Sequence, residues 1–143
     1  MTLRSRRTPS AGLRPDRAAA VALGAVLGAS LRWVVTGLLG DAGTDVGLLL
    51  VNLTGTTLLA VVTALRPGVV SARTTALLSA GLCGALTTWS SLALRTATRI
   101  DAGAWAPALG WLAANLVAGV AVASGVRTWA GRSGAASGRT GEP

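Results

Sequence analysis

GLCGALTTWSSL, residues 81–92, lies in an apolar run from Thr74 to Leu94 that carries no charge and is long enough to cross a membrane. A hydrocarbon slab of about 30 Å takes roughly 20 residues of helix. Yet this stretch is a poor helix former. Gly81 and Gly84 loosen the backbone, while Thr87, Thr88, Ser90 and Ser91 offer hydroxyls to any backbone group released from the helical ladder. Non-helical backbone at membrane depth is tolerated only where it is buried in protein or lines an ion or water site. There, freed carbonyls suit a cation, and hydroxyls or amide hydrogens suit an anion. The stretch reads either as an ion site in a broken helix or as an unbroken helix whose glycines allow close packing. Cys83 within it is a small apolar residue with no redox role.

Three similar runs surround it, from Ala18 to Leu39, Val46 to Leu65 and Ala104 to Val126, joined by short segments carrying Asp41, Asp45, Arg66, Pro67, Gly68, Arg73, Arg99, Asp101 and Gly103. Of 143 residues 51% are hydrophobic and 13% charged, with a mean hydropathy of +0.58. The chain is read as an all-α membrane protein of four transmembrane helices, the third broken. Residues 1–17 form a basic N-terminal tail, 18–126 the transmembrane domain and 127–143 a flexible C-terminal tail, because the two ends hold too little apolar surface to order themselves. With no His and one Cys there is no His-based triad, no zinc cluster and no disulfide framework. The chain is not expected to be an enzyme. A proton-coupled exporter would need a carboxylate inside the membrane, but Asp16, Asp41, Asp45, Asp101 and Glu142 all fall in tails or loops.

All 13 basic residues are arginines. With the N-terminus in the cytoplasm, Arg4, Arg6, Arg7, Arg14, Arg17, Arg66, Arg73, Arg127, Arg132 and Arg139 lie inside, and Arg95 and Arg99 outside. That asymmetry predicts one orientation, multi-pass with both termini cytoplasmic. The basic N-terminus is read as a topology determinant lying against anionic membrane lipid, not as a nucleic-acid site.

Polar residues within spans call for a partner or a pathway. Asn52, Thr56 and Thr63 fall within about 40° of one another on one helical face, which suits either a polar path or interhelical hydrogen bonding. Gly24 with Gly28, and Asn115 with Gly119, suit close helix packing. Arg32, the charge well inside a span, reads as either an anion-attracting vestibule residue or a guanidinium snorkelling to an interface.

GAVLGASLRW (24–33), VNLTG (51–55) and GLCGALTTWSSL (81–92), in that order on the first three spans, resemble the CrcB, or Fluc, family of bacterial fluoride channels. The resemblance covers roughly residues 20–125. It implies an antiparallel, dual-topology type dimer of four-helix subunits in the bacterial cell membrane, with two narrow pores for fluoride. It also implies a structural Na+ on the dimer axis, held by backbone carbonyls that carry over to Gly84 and Thr87. On the same resemblance Asn52 donates to fluoride and Ser90 and Ser91 continue a polar track. Together with Thr56 and Arg32 from the residue reading, and Trp89, these form the expected fluoride pathway.

Two Phe rings of the family's third span correspond here to Trp89 and Leu92; Leu48 stands where a hydroxyl is frequent, and Gly119 where a fourth-span Ser occurs. Trp keeps an aromatic edge and adds an N–H; Leu keeps neither. Two readings follow: a passive fluoride channel subunit, or a non-conducting structural partner completing a dimer whose working pore another chain lines. The arginine bias favours a second, paralogous chain of opposite orientation over a second copy of this one.

Overall fold

The structure is a computed structural model that describes residues 14–65 and 69–138, with backbone alone for 40–44 and 133–138. Most of the N-terminal tail expected over 1–17, and the last residues of that expected over 127–143, fall outside it.

α1, Pro15–Leu38, starts on a proline, whose missing N–H is no loss in a first turn, and carries Asp16 where the helix dipole favours an anion. A turn at Leu39 leads into α2, Gly40–Ala64, and sets Gly47 back beside Thr36 of α1. The third crossing is assembled from pieces. α3, Ala72–Ala76, is capped by Ser71, whose Oγ accepts from the Thr74 N–H at 3.0 Å. A wide π-helical segment, Leu77–Cys83, passes into the single turn α4, Gly84–Leu86. Thr87 (ψ 153°) and Thr88 (φ −147°, ψ 112°) are extended, and α5, Trp89–Asp101, starts immediately after them. Gly103, at φ 77°, then turns the chain into α6, Trp105–Gly138.

Among the described residues four helical stretches are long and apolar enough to cross a membrane: Pro15–Leu38, Asp45–Ala64, Ala72–Asp101 and Trp105–Arg132. There is no strand among the described residues. The protein is an all-helical, multi-pass membrane protein. α6 runs on past Val126, where the sequence reading ended the span, as far as Gly138. Once a helix is formed, each added residue contributes a hydrogen bond without a new nucleation cost, and no proline stops this one.

Packing depends on residues that lack a side chain. α1 lies against the π segment and α4 so closely that a Cβ at Gly24 would meet the Leu77 carbonyl and lie 2.9 Å from the Leu82 nitrogen. One at Gly28 would meet the Leu82 carbonyl, and one at Gly81 would sit 2.6 Å from the Val21 carbonyl. Lipid tails are as apolar as leucine, so helices in a membrane associate through this kind of backbone proximity and not through hydrophobic burial. α2 is likewise brought to the third crossing at Gly55, where a Cβ would overlap the Thr87 methyl. A small core of Leu48, Val51, Leu86 and Leu92 fills the centre, with Val35, Trp111 and Leu112 packed around it. α6 packs on α2 and α5, yet only 6% of its most apolar stretch is buried, with Val117 and Val120 outward.

Charges mark the two ends of the bundle. At one end Asp16 meets Arg73 across 3.4 Å in an exposed pair of little energetic consequence. At the other, Asp45 of α2 holds Arg95 at 2.9 Å through one oxygen and Arg99 through the other. Arg99 also stacks on Trp111, 5.8 Å from its ring centre, which ties α2, α5 and α6 together.

Candidate functional site

The centre of the site is the peptide at Thr88. In a continuous helix its N–H would bond the Gly84 carbonyl; here it donates to Asn52 Oδ1 at 2.9 Å. One side-chain contact from α2 therefore satisfies a donor at membrane depth and releases a carbonyl. Because a backbone N–H can only donate, it also fixes which end of the Asn52 amide faces it. The two N–H groups of that amide make no hydrogen bond among the described residues and remain available to an acceptor. The Thr88 hydroxyl accepts from the Ser91 N–H at 3.2 Å as the N-cap of α5, donates to Ser91 Oγ at 3.0 Å and lies 3.2 Å from Ser90 Oγ.

Two concavities meet at Thr88. The larger, about 480 Å³, is an open groove among α2, the third crossing and α6, lined by Asn52, Thr56, Gly84, Thr87, Thr88 and Trp89, with Asn115 and Gly119 from α6. The smaller, about 390 Å³, lies between α1 and α5 and is lined by Arg32, Trp33, Thr36, Leu48, Thr88, Ser91 and Arg95. The residues named from the sequence thus divide. Asn52, Thr56, Trp89, Gly84 and Thr87 share the groove, whereas Arg32 and Ser91 face the second cavity. Ser90 is exposed and reaches the site only through Thr88. Thr63 bonds the Leu59 and Ala60 carbonyls on its own helix and lines neither space.

Arg32 neither snorkels away from the bundle nor pairs with a carboxylate among the described side chains; its Nη1 approaches the Thr87 carbonyl at 3.5 Å. Trp89 is 64% exposed toward the open side of the groove, while Leu92, at 3%, belongs to the core. Gly119 has open space in front of it.

Sequence reasoning gave too little weight to two residues. Thr88 anchors the whole site, and a Thr immediately before a helix is an N-cap signal. Asn115 was read as packing, and it does donate from Nδ2 to the Trp111 carbonyl at 3.0 Å, but its Oδ1 is buried at the groove without a partner. An orphaned buried acceptor at an open groove marks a surface that something else completes.

Chemically, the groove offers neutral hydrogen-bond donors, hydroxyls and an aromatic edge, flanked by guanidinium groups in the adjoining cavity. Among the described residues no cluster of His, Cys, Asp or Glu suits a transition metal. Such a donor set fits a small anion.

A family model described as "CrcB-like protein, Camphor Resistance (CrcB)" matches residues 19–129. A protein of Parasynechococcus marenigrum named fluoride-specific ion channel FluC 2 is 41% identical over 104 residues, 73% of each chain. A fluoride-specific ion channel FluC of Shewanella woodyi is 41% identical over 101 residues, covering 67% of this chain and 81% of its own. FluC 1 of Streptomyces avermitilis is 39% identical over 109 residues, covering 73% and 85%.

Proposed function

The chain belongs to the CrcB family, and we propose that it is a subunit of a fluoride-specific channel that lowers cytoplasmic fluoride by passive efflux across the cell membrane. The observation that carries this reading is the Asn52–Thr88 bond. It holds the Asn52 amide with its donors uncommitted beside an interrupted helix, where an anion stripped of water needs them. Fluoride is small and strongly hydrated, so a pore must replace water's hydrogen bonds while staying too narrow for larger halides. Asn52 supplies two N–H groups, Thr56 and Ser91 supply hydroxyls, and the Trp89 ring edge and indole N–H add positive character. Arg32 raises the local anion concentration from the neighbouring cavity.

The groove lacks a wall on one side, and the proposed subunit is completed by a second one packed antiparallel to it. The carbonyls of Gly84 and Thr87 suit a structural Na+ on that axis. Gly84 loses its helical N–H partner to Asn52, Thr87 accepts one long contact from Arg32, and both residues line the open groove. Oxygen-only ligation of this kind matches a hard cation, and bound Na+ would neutralise carbonyl dipoles crowded at the axis.

A second reading is carried by Leu92. Its place in the core leaves Trp89 as the one aromatic ring at the groove, so this chain serves as a structural partner whose own pore does not conduct. The numbered names FluC 1 and FluC 2 among the relatives are consistent with paired chains. Reconstitution of the chain alone in liposomes, and then with a paralogous chain, tests both. Fluoride efflux from the chain alone supports the conducting subunit; efflux only with a partner whose own Asn and ring residues are intact supports the structural one. No efflux in either case refutes the channel reading.

A further inference from the structure

α5 places its hydroxyls and guanidinium groups on one side. Thr88, Ser91, Arg95, Thr98 and Arg99 lie within about 100° of one another around the helix, and Ser91 to Thr98 spans about 10 Å along it. Two cavities of about 390 Å³ each adjoin this face. One is shared with Arg32 and reaches Thr88; the other is bounded by Ser91, Leu94, Arg95, Thr98 and Arg99. Ser91 and Arg95 line both, so a continuous polar lane runs from the Asn52–Thr88 contact to the end of the bundle that holds Asp45.

Arg32, Arg95 and Arg99 line these two cavities, and among the described residues no Asp or Glu lines either. Asp45 is the carboxylate at Arg95 and Arg99, and each of its oxygens serves one of them. Arg99 is also turned against Trp111, whereas Arg95 faces both cavities, and Arg32 faces the inner one with no carboxylate partner among the described side chains. Asp101, at the C-terminal end of α5, lies outside both linings, so the groups that face the two spaces are guanidinium groups and hydroxyls, which attract an anion.

We infer that the Ser91–Arg95–Thr98 face of α5 is the anion mouth of this subunit, and that Arg95 sets how readily fluoride exchanges between the Asn52–Thr88 site and the solution at that end, with Asp45 as the counter-charge that tempers it. The inference rests on the fluoride-channel reading and adds to it a residue that governs access to the pore.

The lane makes opposite demands on the two members of one ion pair. Arg95→Gln lowers fluoride flux about ten-fold at low ionic strength, and the difference from the parent shrinks below about two-fold near 1 M salt, where screening acts over about 3 Å. Arg95→Lys restores the flux, and Asp45→Asn leaves it equal or higher. If the pair merely clamps α5 to α2, Arg95→Gln and Asp45→Asn both lose flux and thermal stability by similar factors at every salt concentration, which overturns the inference. A second readout needs no conduction. With Thr98→Cys in a Cys83→Ser background, an anionic sulfonate thiol reagent reacts faster relative to a trimethylammonium one than it does with a free thiol, and Arg95→Gln lowers that ratio several-fold. A ratio at or below the free-thiol value with Arg95 intact sinks the mouth even if the channel conducts. A parent protein that passes no fluoride at any salt, alone or with a paralogous chain, but keeps the raised ratio, refutes the channel reading and leaves the anion-attracting mouth standing.

Discussion

Asn52 performs two tasks with the two ends of one amide, and substitution can separate them. Its oxygen satisfies the Thr88 N–H at 2.9 Å, and its N–H groups are free for an anion. Asn52→Leu removes both and leaves a buried backbone donor unmatched, at about 1–3 kcal/mol. In a protein of this size that loss is visible as a lower unfolding temperature and a reduced yield of folded protein. Asn52→Asp keeps an acceptor for Thr88, so folding is maintained, but it places a negative charge and no donor at the anion's position. Two unit charges about 4 Å apart at an effective dielectric near 20 repel by about 4 kcal/mol. At about 1.4 kcal/mol per factor of ten, that predicts a loss of roughly three orders of magnitude in fluoride flux. The assay is fluoride release from liposomes measured with an ion-selective electrode, alongside thermal unfolding of each variant. Flux of folded Asn52→Asp within ten-fold of the parent protein would refute the placement of Asn52 on the path. Equal stability of Asn52→Leu and the parent would refute the structural half of the argument.

Gly28→Val drives a branched side chain into the backbone of the third crossing at the Leu82 carbonyl, and the expected result is loss of folded protein on size exclusion; Gly37→Val, where a Cβ meets nothing, serves as the tolerated control. Replacing sodium by lithium or a bulky organic cation on both sides of the membrane is expected to lower flux. Thr87→Val, which keeps the carbonyl and the shape that packs on Gly55, leaves that cation dependence in place; cation-indifferent flux counts against carbonyl ligation at Gly84 and Thr87.

The class of the protein was legible in the sequence. Apolar runs of about 20 residues, three of them uncharged and the first holding Arg32, can be stable only in lipid or in a large core, and 143 residues cannot build such a core around four of them. Gly24 and Gly28 were legible as packing residues for the same reason: in lipid, only small residues bring backbones together. The polar stripe on α2 was legible only in part. Periodicity puts Asn52, Thr56 and Thr63 on one face, but a face is longer than a site, and Thr63 lies beyond the groove.

Tertiary structure decided how the residues pair across elements, which no local pattern encodes. Asn52 and Thr88 are 36 positions apart, and their bond exists because Gly55 lets α2 approach the third crossing. Arg32 faces the Thr87 carbonyl, 55 positions away, because glycines at 24, 28 and 81 press α1 onto the π segment. Asp45 is shared between Arg95 and Arg99 because α2 begins where α5 ends. Hydropathy and charge along the chain are one-dimensional quantities, so they determine which segments enter the membrane. A hydrogen bond or an ion pair forms only where two helices bring partners within about 3 Å, and that distance is set by packing in three dimensions.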